Sequence, residues 1–81
     1  MSRTKQEIFV KVKPRAVHKI LAQKNLSLLQ FAQNTKMSKA HATQIMLGNR
    51  YPSPLMRNRI QKILGADWND VFEIVELEAG L

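Results

Sequence analysis

The chain has 81 residues, 44% of them hydrophobic, which suits one small domain with a modest core. It holds no cysteine, which excludes disulfides, thiolate zinc sites and a cysteine nucleophile. The formal charge of +7 is unevenly laid out: no acid occurs between Glu7 and Asp67, an interval with eleven basic residues, whereas Asp67, Asp70, Glu73, Glu76 and Glu78 crowd the C-terminal end.

In chain order, Ile8, Val10 and Val12 alternate with Phe9, Lys11 and Lys13, the signature of a strand. Pro14 stops that strand and suits the first turn of a helix, which Val17, Ile20 and Leu21 continue at helical spacing to Lys24. Asn25 marks its end, and Leu26 can act as a hydrophobic staple for the next helix. Ser27 and Gln30 form a capping box that opens a second helix, with Phe31 and Ala32 facing inward and an end near Asn34. Ser38 caps a third helix that buries Ala42, Ile45 and Met46 and stops at Gly48. Its other face carries Lys39, Ala40, Thr43, Gln44 and Leu47, with His41 on the flank.

After a loop over residues 49–52, Ser53 and Pro54 open a fourth helix that buries Met56, Ile60, Ile63 and Leu64 and ends at Gly65. Asp67 caps a short fifth helix holding Trp68, Val71 and Phe72. The acidic tail alternates weakly. Pairing Ile8–Lys13 antiparallel with Ile74–Glu78 sets opposite charges across a ladder. The whole chain, 1–81, reads as a single domain with a helical core over about 14–73 and terminal extensions at 1–13 and 74–81.

An acid-free body favours a polyanionic partner, although small basic domains also exist without one. A membrane surface fits less well, because no long amphipathic helix with aromatic anchors is visible, and the apolar runs are far too short to span a bilayer. The segment from Met1 to Glu7 lacks the apolar stretch of a signal peptide, so a soluble, cytoplasmic protein is expected. A small core without staples also makes oligomerisation an expectation.

Two capped helices so closely joined can present the second to a DNA groove. Residues 17–72 resemble the phage-repressor and Cro-like (XRE-type) helix-turn-helix family. The matching positions are Leu26 and Ser27, Phe31 and Ala32, Met37 and Ser38, Ile45, the run from Gly48 to Ser53, Ile60, Leu64 and Gly65, and Val71 and Phe72. The resemblance implies an all-α, five-helix lambda-repressor-like bundle whose third helix enters the major groove, with room for short terminal strands pairing the N- and C-terminal segments. Two positions depart from the family pattern. Lys36 stands where the turn usually has glycine, and Leu28 where the second helix often begins with a glutamine that touches DNA. An exposed Leu28 would offer a thymine-methyl contact or part of a partner surface.

On this reading Lys39, Ala40, Thr43 and Gln44 read bases. Lysine can donate to guanine, glutamine can pair bidentately with adenine, threonine can bond an edge or pack its methyl on thymine, and alanine lets the helix sit deep. Without the surrounding pattern, the same residues would be an ordinary solvated face. Ser27, Lys36, Ser38, His41, Asn49, Arg50 and Tyr51 are the candidates for the DNA backbone. Tyr51 could equally cover the edge of the core, and Arg57 and Arg59 read as well as plain solubilising charges. The function expected is that of a sequence-specific regulator of transcription, a Cro-like repressor binding a pseudo-palindromic operator as a homodimer. The dimer contact would use Ile8–Val12 and Ile74–Leu77 or the exposed part of the last helix.

An enzyme is not expected, nor a cofactor, metal or small-molecule ligand. His18 and His41 are far apart in sequence with no carboxylate beside either, and no glycine-rich phosphate loop occurs. Met37, Met46 and Met56 read as core filler and Trp68 as packing. Two other readings stay open: an antitoxin-like module that binds a protein partner as well as DNA, and a basic nucleic-acid binder without sequence preference.

Overall fold

Two antiparallel strands bracket five helices in the computed structural model, which describes the backbone of residues 5–79 and the side chains of residues 7–76. The order is β1 (Lys5–Val12), α1 (Pro14–Gln23), α2 (Leu28–Thr35), α3 (Lys39–Met46), α4 (Pro54–Leu64), α5 (Trp68–Val71) and β2 (Phe72–Ala79). Of the expected extensions at 1–13 and 74–81, residues 1–4 and 80–81 lie outside the described residues.

The helix boundaries follow the local chemistry. Ser27 Oγ accepts from the Gln30 N–H at 3.1 Å, and Gln30 Oε1 accepts from the Ser27 N–H at 2.8 Å, closing the capping box. Ser38 Oγ accepts from the His41 N–H and Ser53 Oγ from the Met56 N–H, at 3.1 and 3.2 Å. Asp67 occupies the N-cap of α5 without a side-chain cap bond, so its role there is backbone placement only.

Each helix from α1 to α4 ends on a left-handed residue: Asn25 (φ 57°), Lys36 (φ 60°), Gly48 (φ 80°) and Gly65 (φ 60°). α2 runs one residue past the expected end. Thr35 is fully buried, and its hydroxyl donates to Phe31 O at 2.7 Å and Ala32 O at 3.2 Å. A threonine that bonds its hydroxyl within its own helix leaves no unsatisfied polar atom when buried.

The core is a single cluster of Val12, Val17, Leu21, Phe31, Ala32, Ala42, Ile45, Met46, Ile60, Leu64, Val71 and Phe72. Met56 and Ile63, expected inside α4, are half-buried at its margin. α3 packs chiefly on α2, which also packs on α4.

The five helices and the antiparallel pairing of the terminal segments are both as expected, but the strands are longer than the short ones anticipated. The strands are eight residues each and pair along their whole length, from Lys5 with Ala79 to Val12 with Phe72. Phe72 was expected in the last helix. It instead opens β2 in an extended conformation (φ −120°, ψ 158°), while its ring stays in the core, 5.5 Å from Trp68. The reason is tertiary. The Lys13 N–H donates to Val71 O at 2.7 Å, and Lys13 Nζ donates to Asn69 O, so the residue that follows β1 takes up carbonyls that a longer α5 would keep. Of the opposite charges expected across the ladder, Lys11 and Glu73 face each other and form an ion pair at 3.4 Å.

Only the root of this ribbon touches the core. Val12 and Phe72 are buried and Val10 is half-buried, but Ile8 and Ile74 on the same face are 62% and 56% exposed. The ribbon stretches the molecule to 53 × 23 × 19 Å, and the radius of gyration is 14.3 Å. A compact chain of this length would have roughly 12 Å.

Candidate nucleic-acid interface

A turn of three residues, Lys36, Met37 and Ser38, joins α2 to α3. Its first residue is lysine in the left-handed region (φ 60°, ψ 42°), where a side chain costs about 1–2 kcal/mol relative to right-handed backbone. The turn closes because the Lys36 N–H donates to Gln33 O and the Met37 N–H to Ala32 O. Met37 then packs on the core and Ser38 caps α3.

With Ala42, Ile45 and Met46 turned inward, helical geometry leaves Lys39, Ala40 and Gln44 exposed on the outer face, with Leu47 beyond them, 56% exposed. Thr43 is half-buried, and its hydroxyl donates to Lys39 O at 2.8 Å. Its proton is therefore spent on its own helix, which leaves a methyl group and an acceptor lone pair. Six of the predicted residues, Ser38, Ala40, His41, Gln44, Asn49 and Arg50, line one open groove of about 490 Å3. Within it Arg50 Nη1 lies 3.4 Å from His41 Nδ1. A guanidinium can only donate, so the ring nitrogen accepts. Asn49 Nδ2 donates to Gln44 Oε1 at 3.3 Å.

Three sequence-based expectations need correction or completion. Leu28 is not an exposed contact. It falls on the same helical stripe as Phe31, Ala32 and Thr35 and packs half-buried against the core, while Leu29 is the residue turned outward, 49% exposed. Tyr51 stacks on Phe9 of β1, with ring centroids 4.7 Å apart and planes 17° apart. It thus ties the loop after α3 to the ribbon rather than covering the core. Ser27 and Lys36 are exposed but do not line the groove of Ser38 and Arg50. The Phe9–Tyr51 stack spans 42 positions and had no local signal in the sequence. The Asn49–Gln44 bond did have one, in the position of Gly48.

The charges are segregated. Residues 13–71 hold ten basic residues and two acids, Asp67 and Asp70, and those two line a different groove between α1 and the α4–α5 corner. The ribbon has Lys5 and Lys11 against Glu7, Glu73, Glu76 and Glu78. None of the helices from α1 to α4 has an acid in its first turn, so their positive N-terminal ends are not neutralised from within.

No known protein family, curated protein or solved structure matches this chain. Among the described residues, no helix is long and apolar enough to cross a membrane, and no three His, Cys, Asp or Glu side chains form a cluster suited to a metal ion.

Proposed function

We propose that this chain is a sequence-specific double-stranded-DNA-binding regulator of the Cro-like kind, built on a lambda-repressor-type helix-turn-helix. The observation that carries the reading is α3. It is a capped helix behind a three-residue turn, with Lys39, Ala40 and Gln44 exposed on a face that bears no acid. In a major groove, Gln44 pairs with adenine, Lys39 donates to guanine, and Ala40 allows close approach. Thr43 packs its methyl on thymine, its hydroxyl proton being engaged. Ser38, His41 and Arg50 hold a phosphate at the start of α3, and Ser27 and Lys36 hold others along the strand.

The protein acts as a homodimer. One helix reads only a few base pairs, and two copies would read half-sites about 34 Å apart. The exposed stripe of Ile8 and Ile74, continuous with the core through Val10, supports the ribbon as the surface that joins the copies. The ribbon's excess of acid disfavours contact with DNA. A different protein partner on this stripe, as in an antitoxin-like module, is the second reading, and the mass of the purified species separates the two.

In vitro selection from random duplex DNA should return a two-fold-related site with half-sites one helical turn apart. Lys39→Ala and Gln44→Ala should each weaken binding to that site by about 1–3 kcal/mol and leave random DNA nearly unaffected. Selection that returns no preferred sequence would reduce the protein to a charge-driven binder and overturn the assignment.

A further inference from the structure

The closure of α3 has an unusual chemistry. Gly48 donates its N–H to Ile45 O, and Asn49 donates its N–H to Gln44 O, both at 3.0 Å. This paired closure sets the first and last residues of the motif side by side, and the contact between them is commonly apolar. α1 and α2 obey that rule. The Leu26 N–H reaches Leu21 O and the Met37 N–H reaches Ala32 O, and all four residues lie in the core or pack on it. At the end of α3 the same two positions are Gln44 and Asn49. Both are exposed, and their amides are bonded at 3.3 Å. The apolar rule is set aside at the one of these three helices whose outer face is the candidate reading surface.

We infer that Asn49 is a positioning residue for Gln44, setting the base-reading amide before DNA arrives; this rests on the DNA-binding reading above. An exposed glutamine samples several rotamers, and freezing them on binding weakens whatever contact it makes. The bond from Asn49 removes part of that loss. It uses one lone pair of Gln44 Oε1, so the second lone pair and both Nε2 protons remain for adenine N6–H and N7. Asn49 thereby sharpens the choice of base without touching one. Its position is held by the backbone: Gly48 in the left-handed region and the Asn49 N–H on Gln44 O would both survive truncation of the side chain.

The test compares Asn49→Ala, Gln44→Ala and the double variant on four duplexes that differ only at the base pair beneath Gln44. Asn49→Ala should lower discrimination among the four roughly three- to tenfold, whatever change in affinity the four duplexes share. In the Gln44→Ala background it should change discrimination no further. A uniform loss on all four duplexes would make Asn49 a phosphate contact and overturn the inference while leaving base reading intact. A uniform loss from Gln44→Ala itself would overturn base reading by that residue, and the inference with it. The free protein gives a readout independent of DNA. Asn49→Ala should shift the side-chain amide resonances of Gln44 in 15N-edited spectra, and unmoved resonances would sink the proposal whatever the DNA result.

Discussion

Lys36 shows how one residue can serve two demands of opposite sign. The turn between α2 and α3 requires a left-handed residue, and glycine would meet that requirement without strain. Lysine keeps a cation at the turn and accepts the strain. Lys36→Gly should therefore raise stability by about 1 kcal/mol, which for a domain of this size lifts Tm by roughly 4–8 °C, while weakening DNA binding. Thermal melting and a binding isotherm on the same variant check both signs. An unchanged or lower Tm would mean that the lysine side chain makes a compensating contact in the fold. Asn25 occupies the same backbone region at the end of α1, but asparagine tolerates it better, so Asn25→Gly should gain less.

Among the elements, the ribbon is the one whose stability depends most on its surroundings. An isolated two-stranded pair is marginal in water. Here its root is fastened by Val12 and Phe72 in the core, by Lys13 on the carbonyls of Asn69 and Val71, and by the Phe9–Tyr51 stack. In the outer part Ile8 and Ile74 face solvent. Replacing both with lysine should leave the monomer folded, since neither side chain is in the core. It should weaken the proposed dimer a hundredfold or more, given about 1.5–3 kcal/mol for each such side chain that dimer would bury. Sedimentation equilibrium reads the result, and an unaltered dimer would move the interface elsewhere. The stack on Tyr51 also fastens the ribbon to the loop after α3, so the proposed dimer and reading surfaces are linked by this aromatic pair as well as through the core.

At the scale of the whole molecule, charge and apolar surface are assigned to different regions. The helical body is strongly basic, and the ribbon is mildly acidic with an apolar stripe. DNA affinity and self-association should then respond differently to salt. On the proposed reading, raising salt from 50 to 200 mM should lower DNA affinity by about a thousandfold, because a DNA-bound dimer would neutralise several phosphates. The same change should leave the dimer constant unaltered or slightly tighter, because that contact is apolar. Parallel losses in both titrations would show that the copies associate through charges instead.

Much of the chain could be read locally. Ser27, Ser38 and Ser53 cap helices, Gly48 and Gly65 end them, and apolar residues at helical spacing form the core, because caps, left-handed residues and amphipathic periodicity are settled within four or five residues. The groove beside α3 was legible for the same reason: its six residues lie within 38–50 and are gathered by one helix and its exit loop. Tertiary structure alone decided the rest. Phe72 left the helix for a strand because β1, some 60 positions away, offered its backbone partners. Leu28 turned inward and Tyr51 outward onto Phe9 because the core and the ribbon supplied those surfaces. Charge order and helix identity are properties of neighbouring residues, whereas strand pairing and aromatic stacking depend on which distant segments the fold brings within reach.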